Sequence, residues 1–247
     1  DVDESGGLLG ILTTLTLHAD AASIDIGSNI DLQTGGDFVI NGANATTTIT
    51  GNVTIFTDDG SMIDINDSIA IQDGFTLTLN SDQDDNGTGG LIDVSGNIQG
   101  DGGSNEHLVV DSGDGNVVLG TDGTDVINGS GGDGRFGNLT IDSTASVTIH
   151  GAVTGRSIVI DGTRVPMTVN INDPLDLSAA GDVDVLLVTA TDVNFAADAT
   201  VTTAAMNDVV LTGQGANSDL VIPSGANFDL GGELIVDNFD GTGGAAG

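Results

Sequence analysis

The sequence predicts an all-β fold, a right-handed parallel β-helix (β-solenoid) of about eight coils, with a β-sandwich or jelly roll as the alternative. Three observations carry this. Apolar and polar residues alternate in short bursts, residues that favour helix are scarce, and a strand-turn-strand motif recurs along the chain.

The alternation comes first. Ile24-Asp25-Ile26, Phe38-Val39-Ile40, Val53-Thr54-Ile55, Ile63-Asp64-Ile65 and Phe75-Thr76-Leu77-Thr78-Leu79 show it early. Leu139-Thr140-Ile141, Val147-Thr148-Ile149, Val169-Asn170-Ile171 and Leu175-Asp176-Leu177 show it later. A period of two marks a strand with one buried face. About two dozen such bursts occur, roughly nine residues apart, with Gly, Asn, Asp and Ser between them.

Helix is disfavoured by composition. Of 37 acids only Glu4, Glu106 and Glu233 are glutamate, and Lys plus Arg total 3. Asp, Asn, Gly and Thr take the place of helix formers, and these favour turns, caps and strands.

The recurrence comes third. Ile24-Asp25-Ile26 followed by Ile30 and Leu32-Gln33 returns as Ile63-Asp64-Ile65 followed by Ile69 and Ile71-Gln72. It returns again, shortened, as Ile92-Asp93-Val94 followed by Ile98-Gln99. The offsets are 39 and 29 residues, the spacing of solenoid units stacked on one another. A sandwich would use longer strands, about 5–6 residues, and more aromatics than seven Phe. At ~30 residues per coil and ~4.8 Å between strands, the expected rod is roughly 40 Å long.

Residues 1–240 read as a single elongated domain. Residues 1–20 read as an N-terminal cap or a subunit-joining segment, because Leu8-Leu9-Gly10-Ile11-Leu12 is the most continuous apolar stretch. Residues 241–247 read as a Gly/Ala-rich tail or linker. Asp1-Val2-Asp3-Glu4 is acidic where a signal peptide would be basic and then apolar, so the chain reads as a mature secreted product or a fragment.

The net charge of −34 excludes whole classes of function. A phosphate backbone would be repelled, so no nucleic-acid partner is expected. No apolar run is long enough for membrane insertion. Without Cys there is no disulfide or thiolate metal site, and without Lys no Schiff base or P-loop. Such a surface suits an environment rich in salt or divalent cations outside a cell.

The openings Gly51-Asn-Val-Thr-Ile55 and Gly137-Asn-Leu-Thr-Ile141, the Asp/Asn/Gly corners and the absence of Cys give the chain a familiar style. It resembles the β-solenoid stretches of large secreted surface proteins, the filamentous-haemagglutinin-like and autotransporter-type adhesins of bacteria. That resemblance implies a right-handed β-helix, export, a cell-surface location and adhesive or structural work.

Two segments could hold a cation. Asp82-Gln-Asp84-Asp-Asn86-Gly87 leads after five residues to Asp93. This is the spacing of a calcium loop, with oxygen ligands at positions 1, 3 and 5, glycine at 6 and a carboxylate at 12. Ca²⁺ takes six to eight hard oxygens, and alternate residues of a tight loop converge on one point. Asp82, Asp84, Asn86 and Asp93 are the candidate ligands. A weaker candidate is Gly120 to Gly134, with Asp122 and Asp125. It resembles calcium-binding RTX nonapeptides, although Thr121 and Gly134 depart from that pattern.

Enzyme readings fare poorly. Sugar clefts usually present Trp or Tyr, and neither occurs. A lyase would need a basic residue, for which Arg135, Arg156 and Arg164 are the candidates, and charge pairing with Asp is their plainer use. His18, His107 and His150 show no triad or metal spacing. The expectation is a non-enzymatic extracellular structural or adhesive rod that self-associates end to end, stabilised by calcium, with a cell-surface or polysaccharide ligand. A polysaccharide lyase or hydrolase, or a calcium-dependent surface-layer subunit, is the alternative.

Overall fold

The computed structural model describes residues 2–3, 13–18, 23–32, 36–42, 46–58, 60–83, 88–101, 103, 105–129, 134–161, 164–178, 186–215 and 217–240. Among them there is no helix, and every strand pairing is parallel. An antiparallel sandwich is thereby excluded. The chain winds as a parallel β-solenoid with three strands per turn.

One face is a nine-stranded sheet that starts at Thr14–His18 and ends at Asp219–Val221. A second face starts at Ile24–Ile26 and ends at Asn227–Asp229. The third runs from Val2–Asp3 and Ile30–Asp31 to Leu234–Asp237. The Ala152–Ile160 strand turns the corner between the second and third faces and belongs to both. On the first face Leu15 and Leu220 are eight turns apart in register, so a turn averages about 26 residues.

That register corrects one sequence reading. The 29-residue offset is a true turn, because Ile63 pairs with Ile92. The 39-residue offset is not. Ile24 pairs with Thr47 on the second face, whereas Ile63 pairs with Phe38 on the first. Ile-Asp-Ile is a strand unit that any face can use, so its recurrence need not count turns.

Alternation explains the core. Inward residues stack in columns, such as Phe38, Ile63, Ile92, Val117, Val147, Val169 and Val193 on the first face. The third face stacks Val53, Leu77, Leu108, Leu139, Ile158, Leu186 and Val209. These residues are buried and belong to one cluster that continues from Ile26 to Leu211. Each contributes roughly 1.5–3 kcal/mol by leaving water. β-Branched and aliphatic side chains of similar size repeat every turn, so a narrow interior fills with few aromatics, Phe38, Phe136 and Phe195 among them.

Candidate functional site

The densest charged constellation lies where the third face turns toward the first. Asp111 and Asp142 stack in register at the ends of neighbouring strands, with Asn80 one turn earlier. Asp82 follows Asn80 and turns inward, and its side chain is 0% exposed. Arg164 lies beyond the end of the Ala152–Ile160 strand and reaches back over these turns. Its Nη2 donates to Asp82 Oδ2 at 2.7 Å and its Nη1 to Asp111 Oδ1 at 2.6 Å. Its backbone N–H donates to Asp142 Oδ1 at 3.0 Å. One guanidinium therefore ties carboxylates from two successive turns, and its main chain ties a third.

Gly113 makes room for this. It has φ 57°, and a Cβ there would lie 2.6 Å from Asp82 Oδ2. Burial pushes the Asp111 carboxyl above its ordinary value, Arg164 and the Gly113 N–H pull it back, and Asp142 and Asp82 push it up. The net direction is upward, so burial and the stacked acids outweigh the guanidinium. Such an arrangement can clamp turns together.

A second device recurs along the rod. The residue just before the first inward side chain of a strand is often Asn or Asp. Its side-chain oxygen accepts the N–H of its partner one turn later. Thr54 N–H donates to Asn29 Oδ1 at 2.8 Å, Met62 to Asp37 at 3.0 Å and Thr76 to Asn52 at 3.0 Å. Val126 donates to Asn97, Ser146 to Asn116, Asp219 to Asp192 and Glu233 to Asp208 in the same way. Two contacts run the other way, Gly89 to Asp114 and Gly151 to Asp173. A short side chain suits this reach between neighbouring corners, which gives the Asp-over-Glu bias a structural cause.

The sequence-predicted cation residues do not come together as a described site. Asp82 holds Arg164, as above. Asp84 and Asn86 lie outside the described residues. Asp93 sits on the Ile92–Val94 strand, directly in register with Asp64. Burial first, and the Asp64 charge second, push the Asp93 carboxyl above its ordinary value. Asp122 and Asp125 organise their own turn. Asp125 Oδ2 accepts from the Thr121 N–H at 2.7 Å, and Asp122 Oδ1 from the Thr124 hydroxyl at 2.6 Å. The Thr124 hydroxyl and N–H hold the exposed Asp122 carboxyl below its usual value. Among the described residues, no group of three or more His, Asp or Glu is arranged to hold a metal ion.

Arg135 also bridges turns. Its Nη2 donates to Ser178 Oγ at 2.8 Å, and its Nη1 lies 3.6 Å from Asp176 Oδ1. Burial alone would raise the Asp176 carboxyl, but Ser178 and Arg135 outweigh it and hold it low. Arg156 is half-buried within the Ala152–Ile160 strand. His107 and His150 face the amides of Asn138 and Asn172. A cavity of 320 Å³ opens at the first turn, lined by Leu15, Leu17, Ile24, Ile26 and Ile30 with Asp25 and Asn29 at its edge.

Sequence reasoning missed the inter-turn acceptors and the Arg164 clamp. The first had a signal, Asn or Asp immediately before an aliphatic strand, as in Asn52-Val53, Asn97-Ile98 and Asn116-Val117. The second had none, because Asp82 and Arg164 are far apart in sequence. No helix among the described residues is long and apolar enough to cross a membrane. No family model, curated protein or solved structure matches the chain.

Proposed function

We propose that the chain is a non-enzymatic structural rod that works outside the cell, as an adhesive or load-bearing element at a cell surface. The observation that carries this is the continuity of the rod. One aliphatic core runs through about eight turns, and the side chains best able to do chemistry are used to join turns. Arg164 and Arg135 hold carboxylates. The cavity at the first turn is lined mainly by aliphatic side chains and contains no arginine.

The outer faces carry Asp, Asn and Thr and a net charge of −34 over the chain. Such a rod stays dispersed by self-repulsion and is compacted by cations, calcium among them, which screen it. Antibody labelling of intact source cells tests the reading. Labelling without permeabilisation is the expected result, and labelling seen only after permeabilisation would overturn it.

A further inference from the structure

The three faces of the rod differ in what they turn outward. The middle outward column of the first face includes Asp64 and Asp93, in register with each other. That of the second includes Asp176 and Asp229, each in register with Thr202. On the third face the same column runs through Val109, Thr140, Val159, Leu187, Val210 and Ile235. This stretch holds no ionisable side chain, in a chain with 37 acids. Ile235 is 39% exposed, and the others are partly exposed. An aliphatic stripe on an otherwise acidic rod marks a contact surface.

Arg156 lies at one edge of this stripe. It sits at the corner where the Ala152–Ile160 strand enters the third face, and Asp161 follows the other end of that strand. Among the described residues Arg164 and Arg135 hold carboxylates, whereas no carboxylate pairs with Arg156. Its Nε is buried and has no hydrogen-bond partner. A buried donor without an acceptor is costly. Asp161 is exposed, but at ~3.3 Å per residue it lies roughly 16 Å along the strand from the arginine of its own chain.

We propose that the third face binds the third face of a second copy of this chain, with the two rods side by side and parallel. The two-fold axis then runs along the rods. Each turn faces the same turn of the other copy with its strand direction reversed, as in stacked sheets about 10 Å apart. Val159, Leu187 and Val210 meet their own counterparts, and Arg156 of each copy faces Asp161 of the other. The flanking columns match as well. Strand starts carry Thr76, His107 and Asn138, and strand ends carry Asn80, Asp111 and Asp142. Reversal sets starts against ends, so hydroxyl, imidazole and amide face acceptors. The last turn opposes like charges, Glu233 and Asp237. Antiparallel rods would instead set Arg156 over the partner's arginine-bearing edge, away from Asp161.

Eight strands of this sheet, from Val53–Phe56 to Leu234–Asp237, take part. At ~4.8 Å per strand and ~3.3 Å per residue they cover roughly 600 Å² per copy, or about 1,200 Å² in all. A specific interface needs about 1,000 Å². The contact is isologous and closed, so assembly stops at the dimer. Each copy carries −34, so pairing strengthens as salt screens the acids of the other faces.

The test uses the purified full chain in sedimentation velocity over a range of protein concentration, at about 0.15 M salt. A concentration-dependent dimer is the expected result, seen in negative-stain electron microscopy as two rods abreast with the length of one. Asp161→Arg sets arginine against arginine at both edges, and Arg156→Asp sets aspartate against aspartate, so each should give monomers. Mixed one to one they should dimerise again, because each copy then supplies the charge that the other lacks. Leu187→Lys should give monomers too, and circular dichroism should show all three variants folded. Asp161 is exposed, so Asp161→Arg decides even where Arg156→Asp does not fold. A chain that stays monomeric at every concentration overturns the inference. So does a dimer that survives Asp161→Arg, a mixture of the two folded charge variants that stays monomeric, or a particle joined end to end. This inference goes beyond the surface-rod reading, and antibody labelling is read separately from sedimentation, so either can fail alone.

Discussion

Arg164 Nη2 lies 2.7 Å from Asp82 Oδ2, although the two residues are 82 positions apart in sequence. The Asp82 side chain is 0% exposed and that of Arg164 is 13% exposed, so this is an ion pair within the wall of the rod. A second carboxylate, Asp111, shares the guanidinium at 2.6 Å. Solenoid turns otherwise contact only their neighbours. A side chain that reaches back over several turns couples them, and the rod should melt more cooperatively for it.

Arg164→Met should therefore destabilise the chain by about 3–5 kcal/mol, because the buried Asp82 carboxylate loses the guanidinium that faces it. Combining it with Asp82→Asn should recover a large part of the loss, since the buried charge that the guanidinium faced is then removed as well. Denaturant unfolding of the two variants and the parent is the check. A loss well under about 1 kcal/mol for Arg164→Met, the range of exposed pairs, would mean that water reaches Asp82.

Asp93 is predicted to cost stability at neutral pH. Its folded carboxyl lies above the ordinary 3.8, through burial and through Asp64 in register beside it. A raised carboxyl favours the folded state fully below the ordinary value, and that contribution is lost as pH rises through the folded value. Asp93→Asn should thus stabilise the chain at pH 7 by about 0.5 kcal/mol, the scale of a relieved like-charge cross-strand pair. Below pH 3.8 the advantage should vanish. Thermal melts of both proteins from pH 3 to 7 show whether the curves converge at the acid end.

The fold was legible because inward and outward residues alternate without exception over segments such as Leu175-Asp176-Leu177 and Val147-Thr148-Ile149. Turn length was less legible, since Ile24–Ile26 and Ile63–Ile65 look alike but lie on different faces. Asn97 and Asn116 were visible as turn residues. Local propensity does not say whether their oxygens serve their own turn or the next, and the structure gives them to the next. Asp82 was the hardest residue to read. Its spacing to Asp84, Asn86 and Asp93 matches a calcium loop, while its surroundings are set by Gly113 and Arg164, which local spacing cannot see.

Salt should stabilise the rod through its net charge of −34. Raising ionic strength from about 0.01 M to 0.15 M shortens the screening length from about 30 Å to 8 Å and weakens repulsion between aspartates on successive turns. Because Asp82 already holds Arg164, calcium at matched ionic strength should raise the melting temperature no further than sodium does. Scanning calorimetry in the two salts, with a chelator control, is the measurement. A larger shift with calcium would place a bound ion among the aspartates.

The corner acceptors should each contribute measurable stability. The Val126 N–H donates to Asn97 Oδ1 at 2.9 Å, at the seam between the second-face strands that begin at Ile98 and Val126. Asn97→Ala removes the acceptor and leaves a part-buried N–H, at a cost of about 1 kcal/mol. Asn97→Asp keeps an oxygen at the same reach and should cost less, since a carboxylate also accepts from a backbone N–H. Amide hydrogen exchange separates this from a general loss of packing. Exchange at Val126 should accelerate in Asn97→Ala beyond the change in global stability, while Ile63 and Ile92, in register on another face, should follow the global change alone. Equal acceleration at all three amides would show that Asn97 acts by filling space at the corner and not as an acceptor for the next turn.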